Sequence, residues 1–124
     1  MAYRTSTRPR RSNRGAIRTL YGGVTYASKS EAHYAMYLNA LVRAKKIASW
    51  QGQVRVPLVV KGKKVCVMVP DFLVTHNDGR LEYREVKGNP ERVWVLKLKL
   101  FRALFPEAWY TVIKAREALS AIVL

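Results

Sequence analysis

Four side chains have the types and spacing to do chemistry together. Asp71 stands in Val69-Pro70-Asp71-Phe72, and thirteen residues further on Leu81-Glu82-Tyr83-Arg84-Glu85-Val86-Lys87-Gly88 carries Glu85 and Lys87; Glu31 lies well upstream. Two carboxylates ~4 Å apart repel by about 4 kcal/mol at an effective dielectric near 20, so they serve poorly as mere packing. A divalent cation reverses the sign of that interaction. Hard oxygen donors on a rigid hairpin suit Mg²⁺ or Mn²⁺, which keep waters and take phosphate oxygens as further ligands. Lys87 beside them has the chemistry to orient or deprotonate an attacking water, or to neutralise charge on a phosphate in the transition state.

The elements around these residues must bring them together. Two strand-like runs meet across His76-Asn77-Asp78-Gly79, where Asp-Gly is a hairpin signal because glycine accepts the positive φ of such turns. A three-residue loop, or a one-residue bulge, sets Asp71 opposite Glu85, and the two-residue repeat of a strand puts Glu85 and Lys87 on one face. Ser28-Lys29-Ser30-Glu31 opens a helix over 28–46, with Tyr34, Leu38, Leu41 and Val42 as its apolar stripe. Ser28 and Glu31 fit a capping box, so Glu31 has two readings: a helix cap, or a third acid reaching the hairpin. His33 reads as a surface residue or phosphate contact, since no second His or Cys has metal-ligand spacing.

The run 54–60 alternates as an outer strand, Lys61-Gly62-Lys63-Lys64 as its turn, and 65–69 as a continuation of the sheet, apolar on both faces as helices on each side require. Gly88-Asn89-Pro90-Glu91 provides a cap and a proline at the first helical position of a second, strongly apolar helix. Lys97, two to three turns in, approaches the acids of the hairpin if that helix lies along the sheet. A last strand is expected over 109–113. The apolar stretch 115–124 is either a subunit contact or ordinary core.

The series Pro70-Asp71, thirteen residues, Glu85-Val86-Lys87, with an acid on the preceding helix and a helix after the lysine, resembles the PD-(D/E)XK nuclease superfamily over roughly residues 21 to 114. The resemblance implies an α/β fold with a restriction-endonuclease-like α-β-β-β-α-β core, a mixed central sheet flanked by helices. It implies Mg²⁺, with Mn²⁺ able to substitute, on Asp71 and Glu85 and on the main-chain carbonyl of Val86. Glu31 would assist directly or through water, and Lys87 would handle the nucleophilic water. Size and motif order are similar to archaeal-type Holliday junction resolvases and small phage-encoded endonucleases, which implies a homodimer acting on four-way or otherwise branched DNA. The likeness departs at Ser49-Trp50-Gln51-Gly52-Gln53, which corresponds only loosely to the Ser- or Gly-rich loop of those resolvases.

Composition agrees with such a partner. Of 124 residues, 23 are Lys or Arg and 8 Asp or Glu, a formal charge of +15 that favours a polyanion. A basic flexible arm is expected over 1–20 and one domain over 21–124, with Arg8, Arg10, Arg11, Arg14, Lys29 and Lys97 as DNA contacts. No apolar run approaches the ~20 residues of a spanning helix, and the Arg-rich start lacks a secretory apolar segment, so a cytoplasmic protein is expected. The single cysteine, Cys66, reads as a buried inert thiol. The alternatives are a restriction-like, nicking or repair nuclease on ordinary duplex, and a non-catalytic DNA- or RNA-binding protein. Acids facing a nucleic acid gain nothing for binding alone.

Overall fold

A computed structural model of the protein describes residues 18–120. Arg8, Arg10, Arg11 and Arg14, and with them most of the expected arm, lie outside the described residues. The boundary expected at residue 20 falls inside a strand. β1 (Thr19–Tyr21) and β2 (Val24–Tyr26) form a hairpin closed by Gly22 and Gly23 at φ 60° and 83°. A two-residue turn of this kind needs positive φ at both positions, which glycine alone adopts without strain. Tyr21 and Tyr26 of the hairpin pack on α1 (Lys29–Arg43).

Ser28 takes an extended conformation before α1, and its hydroxyl accepts the Glu31 N–H at 3.2 Å, closing the first turn. Tyr34, Ala35 and Leu38 are the buried stripe. At the other end the N–H of Lys45 donates to the Val42 carbonyl and that of Lys46 to the Leu41 carbonyl, 2.9 and 2.8 Å. This is the Schellman arrangement, with Lys45 at φ 61° where glycine is the unstrained choice.

The central sheet is four strands in the order β3 (Ser49–Gly52), β6 (Phe72–Thr75), β7 (Leu81–Lys87), β8 (Trp109–Lys114). β3, β6 and β7 pair antiparallel, and β8 runs parallel to β7. The run 54–60 is not the outer strand expected of it. β4 (Val56–Val60) and β5 (Lys63–Met68) make a separate two-stranded ribbon, and β3 holds the sheet edge. The chain leaves the sheet at Gln53, which turns to φ 56° and donates its N–H to the Asp71 carbonyl at 3.1 Å. Because the ribbon lies outside the sheet, β5 is not covered on both faces: Lys63, Lys64 and Val65 are exposed, and Cys66 is half-buried rather than buried.

Alternation divides the sheet into two cores. Phe72, Val74 and Val86 face α1, where Ala118 of α3 (Ala115–Leu119) joins Tyr34, Ala35 and Leu38. Ordinary core packing is thus what Ala118 does; residues 121–124 lie outside the described residues. Tyr83 and Tyr110 face the other way and pack with Leu98 and Phe101 of α2 (Arg92–Leu104) and with Leu58 and Met68 of the ribbon. α2 begins later than expected: Pro90 precedes the helix, and the N-cap is Glu91, whose side chain makes no capping hydrogen bond. The protein is an α/β fold with a mixed central sheet flanked by helices, and its core elements follow the order α-β-β-β-α-β once the hairpin β1–β2 and the ribbon β4–β5 are set aside.

Candidate active site

The hairpin register fixes the two principal acids. His76 N–H donates to the Arg80 carbonyl and Gly79 N–H to the His76 carbonyl, leaving three residues, 77–79, as the loop with Gly79 at φ 91°. Thr75 then pairs with Leu81 and Phe72 with Arg84, so the next step outward sets Asp71 against Glu85. Asp71 Oδ2 accepts the Val86 N–H at 2.9 Å across that gap. Of the two loop forms that would do so, it is the three-residue loop that brings position 71 to position 85.

Glu31 arrives from α1. Its Oε1 accepts the Ala27 N–H at 3.1 Å, so it does cap the helix, one residue outside the usual capping box. It also shares a hydrogen bond with the Asp71 carboxyl. The two readings of Glu31 are therefore compatible, with one part of the carboxyl group serving the helix end and the group as a whole lying against the hairpin. Burial is the largest cause that holds the Asp71 carboxyl far above the ordinary range, at about 10, followed by the hydrogen bond and charge of Glu31 and the charge of Glu85; the Val86 N–H opposes them. Glu31 and Glu85 are buried, and Asp71 between them is half-buried.

Glu85 and Lys87 share the face of Tyr83 and Tyr110. Lys87 Nζ stands 3.6 Å from Glu85 Oε2 and 4.8 Å from the centre of the Trp94 ring on α2. Glu85 Oε1 accepts the Tyr110 hydroxyl at 2.5 Å. Burial, then the charge and hydrogen bond of Glu85, push the Tyr110 phenol up, which keeps it a donor. Neither Tyr110 nor Trp94 could be assigned a role from the sequence. Their partners lie 25 and 7 positions away in the chain and meet them only through the parallel β7–β8 register and the packing of α2.

Behind this site, on the α1 face, lies a second polar group the sequence did not reveal. Glu82, with a side chain 4% exposed, accepts Arg84 Nη2 at 2.8 Å, meets His76 Nε2 at 2.8 Å, and accepts the Thr111 hydroxyl. Arg84 Nη1 in turn donates to the Tyr34 hydroxyl at 2.9 Å. Burial alone would raise the Glu82 carboxyl, but the hydrogen bonds from Arg84, Thr111 and His76 outweigh it and hold it below the ordinary range. Tyr34 is one helical turn beyond Glu31, so the Arg84–Tyr34 bond fixes the part of α1 that presents Glu31 to Asp71.

The remaining expected residues are less central. Lys29 is exposed at the first position of α1, and His33 is half-buried on the same helix. Lys97 does not project freely from α2, because its Nζ donates to the Val67 carbonyl at 3.1 Å and ties the helix to β5. Val86 buries its side chain against α1 while its N–H holds Asp71.

A hard divalent cation requires oxygen donors that are not already fully engaged. Glu31 Oε1, Asp71 Oδ2 and Glu85 Oε1 each accept a protein hydrogen bond, and each carboxylate retains a second oxygen. Among the described residues no group of three or more His, Cys, Asp or Glu side chains is arranged to hold a metal ion as it stands. The three acids are nonetheless neighbours: Asp71 lies within hydrogen-bonding reach of Glu31 and feels the charge of both Glu31 and Glu85. Carboxylate oxygens are the hard donors such a cation takes, and an acid raised by its acidic neighbours is the kind of group a cation would relieve, so the chemistry of the set fits Mg²⁺ or Mn²⁺.

Fold and site together define a small α/β protein with an acidic cluster and a lysine at the end of a mixed sheet. The chain belongs to the family described as "Protein of unknown function (DUF1064)", whose model matches residues 11–119. No curated protein and no solved structure matches it. Among the described residues no helix is long and apolar enough to cross a membrane.

Proposed function

We propose that this protein is a metal-dependent, structure-selective DNA endonuclease, a Holliday junction resolvase of the PD-(D/E)XK type, that hydrolyses phosphodiesters at branched DNA. The observation that carries the proposal is the meeting of Glu31, Asp71 and Glu85 beside Lys87, from three separated stretches of chain. A fold has little reason to gather three acids, two of them buried, on a protein of charge +15 unless a cation joins them.

Asp71 and Glu85 would hold Mg²⁺, or Mn²⁺ in its place, through the oxygens not engaged by Val86 and Tyr110. The carbonyl of Val86 and the carboxylate of Glu31 would complete the set. The cation, when bound, supplies Lewis-acid stabilisation of charge developing on the phosphodiester. Lys87 orients a water for attack and takes up or offsets charge at the phosphate; the Trp94 ring keeps its ammonium at that edge. Cationic surface supplies most of the affinity, which falls steeply with salt. Two symmetric cuts in a four-way junction need two sites about a two-fold axis, hence a homodimer, and a DNA-processing role places the protein in the cytoplasm.

The test is incubation with labelled four-way junction, fork and linear duplex, in Mg²⁺ or EDTA. Paired symmetric cuts in the junction, abolished by EDTA, are expected. Equal cutting of linear duplex points to a restriction-like or repair nuclease, and no cutting with retained binding returns the protein to a non-catalytic role.

A further inference from the structure

Tyr110 is the residue of this site that the motif does not contain. It lies on β8, opposite Tyr83 in the parallel register, which leaves Glu85 one diagonal step away within reach of a long side chain. Its ring is 7% exposed and fixed from three sides: Phe101 at 5.1 Å and 64°, Tyr83 at 6.0 Å and 26°, and the Arg102 guanidinium at 6.0 Å. Arg102 also donates to the Tyr110 carbonyl at 3.2 Å. The aromatic packing thus holds the hydroxyl on one oxygen of one carboxylate, Glu85 Oε1, at 2.5 Å. The other oxygen, Oε2, faces Lys87.

We infer that Tyr110 is a positioning residue for the metal site: its hydroxyl fixes the Glu85 carboxylate through Oε1, leaving Oε2 as the oxygen that would be available to a cation. The inference rests on the metal-site reading above. Two features favour positioning over simple satisfaction of a buried phenol. The acceptor is a charged carboxylate, which gives the stronger class of hydrogen bond and restricts rotation of the acid. The bond also joins β8 to a residue on the neighbouring strand whose second oxygen stands 3.6 Å from Lys87 Nζ. Ligand carboxylates held in this way lose about 10- to 100-fold in metal affinity or activity when the outer partner is removed.

The experiment uses Tyr110→Phe, which keeps the ring and its packing and deletes only the O–H. Tyr83→Phe is the control, because Tyr83 belongs to the same aromatic cluster while its hydroxyl has no hydrogen bond to a described residue. Mn²⁺ binding to the full-length protein without DNA is followed by loss of the free-ion electron paramagnetic resonance signal, with circular dichroism and thermal melting recorded on each variant. The dissociation constant for Mn²⁺ is expected to rise about tenfold to a hundredfold in Tyr110→Phe and to stay within twofold in Tyr83→Phe. The metal concentration for half-maximal junction cleavage should rise in parallel. If wild type and Tyr110→Phe bind Mn²⁺ equally, Tyr110 has only a packing role and the inference falls while the metal site stands, whatever the melting temperature does. If wild type binds no Mn²⁺, the metal reading itself falls, and this inference with it.

Discussion

Asp71→Asn should make the metal-free protein more stable, and by an amount that depends on pH. The folded carboxyl is pushed up to about 10 from an ordinary 3.8, so folding takes up a proton between those values and stability falls as pH rises through that window. At pH 8 the fold holds a proton about four pH units above where the unfolded chain releases it, a ceiling of about 6 kcal/mol at 1.36 kcal/mol per unit. Relaxation and water entry reduce such penalties, and a third of the ceiling is about 2 kcal/mol. For a domain of this size that is roughly 6–10 °C in Tm. Asparagine mimics the protonated acid: its carbonyl can accept the Val86 N–H, and its amide can donate to Glu31. The assay is differential scanning calorimetry in EDTA at pH 8 and pH 4.5. The variant should melt higher at pH 8, with the gap shrinking to about 1 °C at pH 4.5, where both forms carry the hydrogen. Adding Mn²⁺ at pH 8 should raise wild type alone, by about 2.7 kcal/mol at a hundred times the dissociation constant, and so reverse the order. A variant less stable than wild type at pH 8, or an offset equal at both pH values, refutes the buried carboxyl cluster.

Glu85→Gln should abolish cleavage while leaving junction affinity unchanged or tighter, since it removes a ligand and also a charge facing phosphate; retained turnover, measured on gels, contradicts the assignment. Ser28→Ala should lower stability by about 1 kcal/mol through loss of the N-cap without changing the chemical step, whereas Glu31→Gln should lower single-turnover cleavage at little change in Tm. Glu82→Gln breaks the charge pairing of Arg84 and should destabilise by about 3 kcal/mol in urea melts at pH 7. Because the Glu82 carboxyl is depressed in the fold, that loss should be present above its unfolded value and fade as pH falls below it. Lys45→Gly should stabilise by about 0.5–1 kcal/mol, as it relieves a left-handed position at the end of α1.

Much of the site's frame is legible because it depends on local chemistry. Asp78-Gly79 sets a loop length, the loop sets a register, and the register sets Asp71 against Glu85. Ser28 and Glu31 mark the start of α1 in the same local way. The ribbon β4–β5 reads as part of the sheet because alternation indicates a strand but not its partner, and the turn at Gln53 that sends it away leaves no compositional mark. Gly22-Gly23 flanked by Thr19-Leu20-Tyr21 and Val24-Thr25-Tyr26 carries a hairpin signal in its turn residues, at the edge of the arginine-rich segment. Tyr110, Trp94 and the Glu82–Arg84–Tyr34 group were illegible for a different reason. Tyr110 and Arg84 act through contacts 25 and 50 positions away and Trp94 through the packing of α2, and a tyrosine or arginine in a strand reads as ordinary core or surface until its partner is known.

The most direct test of the central claim is a crystal of the protein soaked in Mn²⁺ and measured at a wavelength where manganese scatters anomalously. The account predicts a peak about 2.0–2.2 Å from carboxylate oxygens of both Asp71 and Glu85, with Lys87 beside it. Full manganese occupancy elsewhere on the molecule, with the Asp71–Glu31 hydrogen bond intact, would contradict it.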